Sequence, residues 1–143
     1  MVEQRLFYSE LSPATYKALV NASLTLDKSS LPKALIEMIF MRVSQINGCA
    51  FCLNMHGKSL RDSGLSNAKI DMIAGWRVSS AFSEAERAVL DWAEAVTYIN
   101  TSGTPDSTFD ALKAHFTDTE ISDLTFAISI MNAFNRLAVS MRQ

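Results

Sequence analysis

The sequence predicts an all-α fold, a bundle of six or seven helices with a C-x-x-C pair at the start of a central helix. Three observations carry this reading. Ser83-Glu84-Ala85-Glu86 and Thr117-Asp118-Thr119-Glu120 are capping boxes, in which the hydroxyl bonds forward and the glutamate reaches back to the first backbone N–H. Prolines follow Ser12 and Leu31, where a first helical residue needs no N–H. No segment of useful length alternates apolar and polar residues, and no repeat appears at solenoid spacing.

The elements follow in order. The first ten residues read as an extended arm. Ser12-Pro13 opens a helix to about Leu26, and Leu31-Pro32 opens a second to about Ile46. Asn47-Gly48 breaks it. The cysteine helix then runs from about Cys49 to Ser63, with Gly64 as its C-cap. Ser66 caps a short helix to Gly75. The first capping box starts a helix to about Tyr98. Asn100 to Pro105 reads as a turn-rich loop, and Asp106 to Phe116 as another helix. The second capping box opens the last helix, to about Met141. Its stretch Leu124 to Met131 is apolar on nearly every side, which places it at the centre of the bundle or at a subunit contact.

Composition narrows the function classes. A chain of 143 residues fits one domain spanning residues 1–143 with a real core. The net charge of −2 and the absence of a basic run argue against nucleic acid. Met1 to Phe7 lacks the charged-then-apolar pattern of a signal peptide. No apolar stretch approaches the roughly 20 residues a membrane span needs. These readings lead to an expectation of a cytoplasmic protein with no membrane partner. In that compartment a lone C-x-x-C points to catalysis, redox sensing or metal binding.

The segment Cys49-Ala50-Phe51-Cys52-Leu53-Asn54-Met55-His56 concentrates the chemistry. On a helix, about 100° per residue puts Cys49, Cys52 and His56 on one face. Cys52 and His56 are i,i+4 neighbours, so an imidazole can take or hold a thiol proton. Asn47-Gly48 sets Cys49 near a helix N-terminus, where the free N–H groups favour a thiolate. Glu37 is a lone carboxylate among Leu35, Ile36, Ile39 and Phe40. A hairpin closed at Asn47-Gly48 could bring it toward His56, since each lies about two turns from the break.

Other readings of the same residues stand beside this one. The two cysteines could be buried apolar residues. Cys49, Cys52 and His56, with Glu37 as a fourth ligand, could hold zinc, although structural zinc sites draw on two separated ligand clusters. His115 reads as a helix-end residue. Trp76, Trp92, Phe82 and Phe134 read as core. Asn132, Asn135 and Arg136 need partners on an apolar helix; they could organise a subunit contact, or Arg136 could pair with Glu94.

The spacing E-x11-C-x2-C-x3-H, formed by Glu37, Cys49, Cys52 and His56, resembles the site motif of the alkylhydroperoxidase D branch of the carboxymuconolactone decarboxylase superfamily. Arg42 to Ile46, Gly75-Trp76-Arg77 and Asn132 to Leu137 resemble family members as well. The resemblance implies an all-helical, peroxiredoxin-type alkyl hydroperoxide reductase that uses no cofactor and no metal. Cys52 would attack the peroxide and become a sulfenic acid, and Cys49 would resolve it as a disulfide. His56 and Glu37 would relay the proton. An external thiol reductant, a lipoyl or thioredoxin-like protein in relatives, would reopen the disulfide. Relatives are dimers, trimers or hexamers, so a homo-oligomer is expected.

One position departs from the founding branch, which carries a histidine directly before the second cysteine. Phe51 stands there and carries no proton. The alternatives are a metal-bound or redox-sensing binding protein, and the lactone decarboxylase chemistry of the superfamily. The latter needs no C-x-x-C.

Overall fold

The computed structural model describes residues 2–143. Among these residues there are nine α-helical segments and no strand. They are α1 (Tyr8–Leu11), α2 (Pro13–Thr25), α3 (Lys33–Asn47), α4 (Ala50–Asp62), α5 (Asn67–Asp71), α6 (Glu84–Thr97), α7 (Ile99–Ser102), α8 (Asp106–Lys113) and α9 (Asp118–Met141). The segments α1, α5 and α7 are four or five residues long, so the bundle consists of the six longer helices. Short 3₁₀ stretches cover Leu26–Lys28 and Ile73–Val78.

The local rules place the helix starts well. Pro13 is the first residue of α2, and Pro32 sits at the N-cap of α3. Both capping boxes form with their reciprocal bonds, Ser83 with Glu86 and Thr117 with Glu120. Ser66 accepts a hydrogen bond from the Lys69 N–H and caps α5.

Helix α3 is the hub, packing against α9, α4 and α6. The main core joins Ile39 and Val43 of α3, Val89 and Ala93 of α6, and Leu124 and Ile128 of α9. All six are fully buried. Burial of each valine, leucine or isoleucine among them stabilises the fold by about 1.5–3 kcal/mol. A second cluster lies under α4 and gathers Met38, Leu60, Ile73, Trp76, Phe82 and Leu90. Leu124 to Met131 packs into the bundle by one face, with Leu124, Ala127, Ile128 and Met131 buried, but it is not enclosed on every side, since Phe126 is 61% exposed.

Four local expectations are corrected. The arm is irregular only to Phe7, and Tyr8–Leu11 closes one helical turn. Past α5 the chain tightens into 3₁₀ geometry through Gly75 as far as Val78. Asn100 to Pro105 is not all loop, because Ser102 donates to the Ala95 carbonyl and winds Ile99–Ser102 into a turn that Gly103 ends. Helix α8 stops at Lys113, and exposed His115 lies beyond it, its N–H bonded to the Leu112 carbonyl.

A fifth correction concerns α9. By length and composition alone this 24-residue helix could cross a membrane. Its Thr, Ser and Asn residues interrupt any long apolar run yet leave the average apolar. Within the bundle it carries the buried Asn135 and packs on α3.

Candidate active site

The site is built on the α3–α4 hairpin. Gly48 adopts the left-handed conformation, φ +67°, which glycine reaches without a Cβ penalty. The N–H groups of Gly48 and Cys49 both bond to the Ser44 carbonyl and close α3. Cys49 is then extended and serves as the N-cap of α4, its Sγ accepting the Cys52 N–H at 3.3 Å.

An amide cluster holds this turn on α9. Asn47 donates to Asn132 Oδ1 at 2.9 Å and to Asn135 Oδ1 at 3.0 Å. Asn135 is fully buried and donates to Ser44 Oγ at 3.1 Å, and Asn132 donates to Thr97 Oγ1 at 3.1 Å. The buried amides of α9 thus find their partners within the chain. The alternative pairing of Arg136 with Glu94 does not occur. Arg136 is exposed, and Glu94 is held by Arg42, Arg77 and Trp76.

Cys49 and Cys52 are joined as a disulfide with Cα atoms 5.3 Å apart, within the range that bridges without moving the backbone. Both are buried, and the small side chain of Ala138 on α9 packs against them.

Glu37 and His56 meet across the hairpin. Glu37 Oε2 lies 2.8 Å from His56 Nδ1, and both side chains are largely buried. A carboxylate there accepts from an Nδ1–H, which fixes the tautomer and the ring plane. Phe40 packs on the imidazole with ring centroids 5.1 Å apart. The other ring nitrogen, Nε2, is buried without a hydrogen-bond partner among the described residues.

Cys52 and His56 both line a cavity of about 280 Å³. Its walls are mainly apolar and come from five helices: Tyr8 of α1, Tyr16 and Val20 of α2, Phe40 of α3, Phe51 and Met55 of α4, and Met131 and Phe134 of α9. Phe51 and Met55 stay roughly half exposed at its edge. Tyr8 bonds Gln143, and Arg5 N–H bonds the Met141 carbonyl at 2.8 Å, so the arm is tied to the end of α9 beside the cavity. Burial and the neighbouring Tyr16 raise the Tyr8 phenol above its usual range, so it remains a hydrogen-bond donor near neutral pH.

The structure therefore brings Glu37, Cys49, Cys52 and His56 together. The sequence did not point to Tyr8, Tyr16 or Gln143, which reach the cavity from distant segments. Met55 was legible, lying one turn from Cys52 on the same helix. Phe134 is a cavity wall as well as a core residue. The zinc alternative finds little geometry in this oxidised form. Its sulfurs are bonded to each other, and His56 and Glu37 are bonded to each other. The described residues contain no cluster of three or more His, Cys, Asp or Glu side chains arranged for a metal.

Known proteins are similar to this chain over most of its length. The sequence profile of the carboxymuconolactone decarboxylase family matches residues 13–95. The uncharacterized protein YdfG of Bacillus subtilis is 31% identical over 140 residues, covering 98% of this chain and 95% of its own. A solved protein of unknown function from Agrobacterium tumefaciens, named as a candidate antioxidant defence protein AhpD, is 42% identical. It superposes with a TM-score of 0.95 over 99% of this chain and 97% of its own. A peroxidase-related protein from Ralstonia eutropha with an alkylhydroperoxidase AhpD core is 26% identical. Its TM-score is 0.82 over 94% of this chain and 72% of its own. With the profile and the fold in agreement, the chain belongs to the carboxymuconolactone decarboxylase family, in its AhpD-like branch.

Proposed function

We propose that this protein is a thiol-dependent peroxidase that reduces organic hydroperoxides through a Cys49/Cys52 dithiol–disulfide cycle. The observation that carries the reading is the position of Cys52. It is paired with Cys49 and faces an apolar cavity beside a histidine whose Nε2 is free and whose Nδ1 is fixed by Glu37. Solved relatives named for antioxidant defence and peroxidase relation support it.

The cycle starts from the reduced pair. His56 Nε2 accepts the Cys52 thiol proton, and Glu37 stabilises the resulting imidazolium. The thiolate attacks the terminal peroxide oxygen and the O–O bond breaks. The alkoxide takes the proton from His56 and leaves as an alcohol, with Cys52 oxidised to a sulfenic acid. Cys49 sulfur then attacks Cys52 sulfur, the disulfide forms, and water leaves. Two electrons pass from the two thiols to one peroxide. With Phe51 directly before Cys52, His56 is the sole imidazole available to this relay.

The cavity supplies the remaining selectivity. Its walls desolvate an alkyl or aryl group, and the Tyr8 hydroxyl, whose proton goes to Gln143, offers an acceptor oxygen at one end. The test is consumption of cumene hydroperoxide with dithiothreitol as reductant. The wild type should turn over and Cys52→Ser should not. Equal consumption by both proteins rejects the reading.

A further inference from the structure

Two methionines line the cavity beside Cys52, and their surroundings differ. Met131 is 4% exposed, and its sulfur accepts a hydrogen bond from Asn135 Nδ2 at 3.5 Å. Met55 is 45% exposed and lies about one turn along α4 from Cys52. Unlike the sulfurs of Met72 and Met131, its sulfur accepts no hydrogen bond among the described residues. In the oxidised protein the two cysteine sulfurs are bonded to each other, which leaves Met55 as the accessible sulfur of the cavity. We propose that Met55 is a second oxidation site. A hydroperoxide that enters the cavity while Cys52 is locked in the disulfide converts Met55 to its sulfoxide, and the sulfoxide then weakens binding of the next apolar hydroperoxide. The identity of the oxidant rests on the peroxidase reading above, whereas the modification itself needs neither cysteine.

Exposure alone does not single out Met55. Met72, at the C-cap of α5, is 38% exposed, but it does not line the cavity. The cavity separates the two. Apolar walls concentrate an organic hydroperoxide around Met55, and a reactant held near its target gains rate over one that must arrive by collision. His56 lines the same cavity, is 5% exposed, and has an unpartnered Nε2 that can carry a proton there. The consequence follows from polarity. A thioether is apolar, whereas a sulfoxide is polar and hydrated. Beside Phe51 and Phe134 that oxygen must lose water whenever a hydrocarbon group docks, which opposes binding. The disulfide form accumulates when peroxide outruns the reductant, so the modification is confined to that condition.

The step balances without further components. A lone pair of the Met55 sulfur attacks the terminal peroxide oxygen, and the O–O bond breaks. The sulfur then carries a hydroxyl and a positive charge, and the organic half leaves as an alkoxide. The hydroxyl proton passes to the alkoxide, directly or through His56 Nε2. The products are methionine sulfoxide and an alcohol. Two electrons move from sulfur to the peroxide, and no other reactant is consumed.

The test uses the oxidised wild-type protein, in which no thiol competes. It is treated with cumene hydroperoxide or with hydrogen peroxide, and the sulfoxides at Met55 and Met72 are quantified by peptide mass spectrometry. With cumene hydroperoxide, Met55 should outpace Met72 by about tenfold, a small part of what a held reactant can gain. With hydrogen peroxide, which apolar walls do not concentrate, the two rates should agree within about threefold, as their similar exposures require. Cumyl alcohol, the product, should suppress the Met55 reaction alone. Its dissociation constant, followed by NMR titration, should rise roughly three- to tenfold once Met55 is oxidised, the effect of a polar group in apolar surroundings. Met55→Leu should show no such rise after the same treatment. A Met55-to-Met72 ratio that is the same for both oxidants overturns the proposal, as does a dissociation constant that Met55 oxidation leaves in place. Selective Met55 oxidation in a protein whose reduced cysteines ignore cumene hydroperoxide would keep this site and reject the peroxidase reading. Thiol loss to cumene hydroperoxide, with Met55 and Met72 oxidised alike, would do the reverse.

Discussion

Glu37 and His56 are 19 positions apart and lie 2.8 Å from each other, on the two arms of a hairpin whose turn is capped by Gly48. Each sits about two helical turns from that break, so the pairing follows from helix geometry once the arms fold back. The contact leaves Nε2 as the ring's only free nitrogen.

If the pair acts as one proton-handling unit, its members should be non-additive. In reduced protein, His56→Ala should slow alkylation of Cys52 near neutral pH on the order of a hundredfold, the low end of general-base effects. Glu37→Gln should slow it less, and the double variant should resemble His56→Ala. A rate–pH profile that His56→Ala does not move removes the relay.

The order of attack is separable. Cys49→Ser should accumulate a sulfenic acid on Cys52 that dimedone traps, and Cys52→Ser should leave hydroperoxide unconsumed. The opposite pattern would transfer the nucleophile to Cys49, whose place at the N-cap of α4 also favours a thiolate.

Much of this site was legible in the sequence, because local rules dictate it. C-x-x-C-x-x-x-H fixes three side chains on one helix face, and Asn47-Gly48 fixes where the helix starts. The capping boxes at Ser83 and Thr117 placed two more helix starts. The cavity was not legible. Tyr8 and Gln143 meet only because the arm runs back along the end of α9, a tertiary contact without a local signal. Asn132 and Asn135 were legible as buried amides needing partners. Their partner Asn47 was hidden, because its position before Gly48 reads simply as a helix end.

That amide cluster carries a stability prediction. Asn135→Ala removes a fully buried side chain and leaves the Ser44 hydroxyl without its donor. The expected cost is about 2 kcal/mol. It should appear in urea unfolding as a lower midpoint with an unchanged slope. A shift within error of zero would mean that the cluster does not hold the hairpin.

Glu94 predicts a pH dependence. Burial pushes its carboxyl upward, but hydrogen bonds from Trp76, Arg77 and Arg42 outweigh that and hold it below its ordinary value of 4.5. Its contribution to stability is therefore complete above pH 4.5 and is lost as pH falls through the lowered folded value. Glu94→Gln should destabilise the protein near neutral pH and flatten the acid limb of its stability curve. An acid limb as steep as that of the wild type would assign the dependence to other carboxylates.

The account stands most directly on the stoichiometry of the cysteine pair. Fully reduced protein should be mixed with one equivalent of cumene hydroperoxide and its free thiols counted, with the product alcohol measured in parallel. The prediction is a loss of both thiols, one intrachain Cys49–Cys52 disulfide and one alcohol per protein. Thiols that survive while the hydroperoxide remains intact, or cysteines oxidised singly to sulfonic acids without a disulfide, would contradict it.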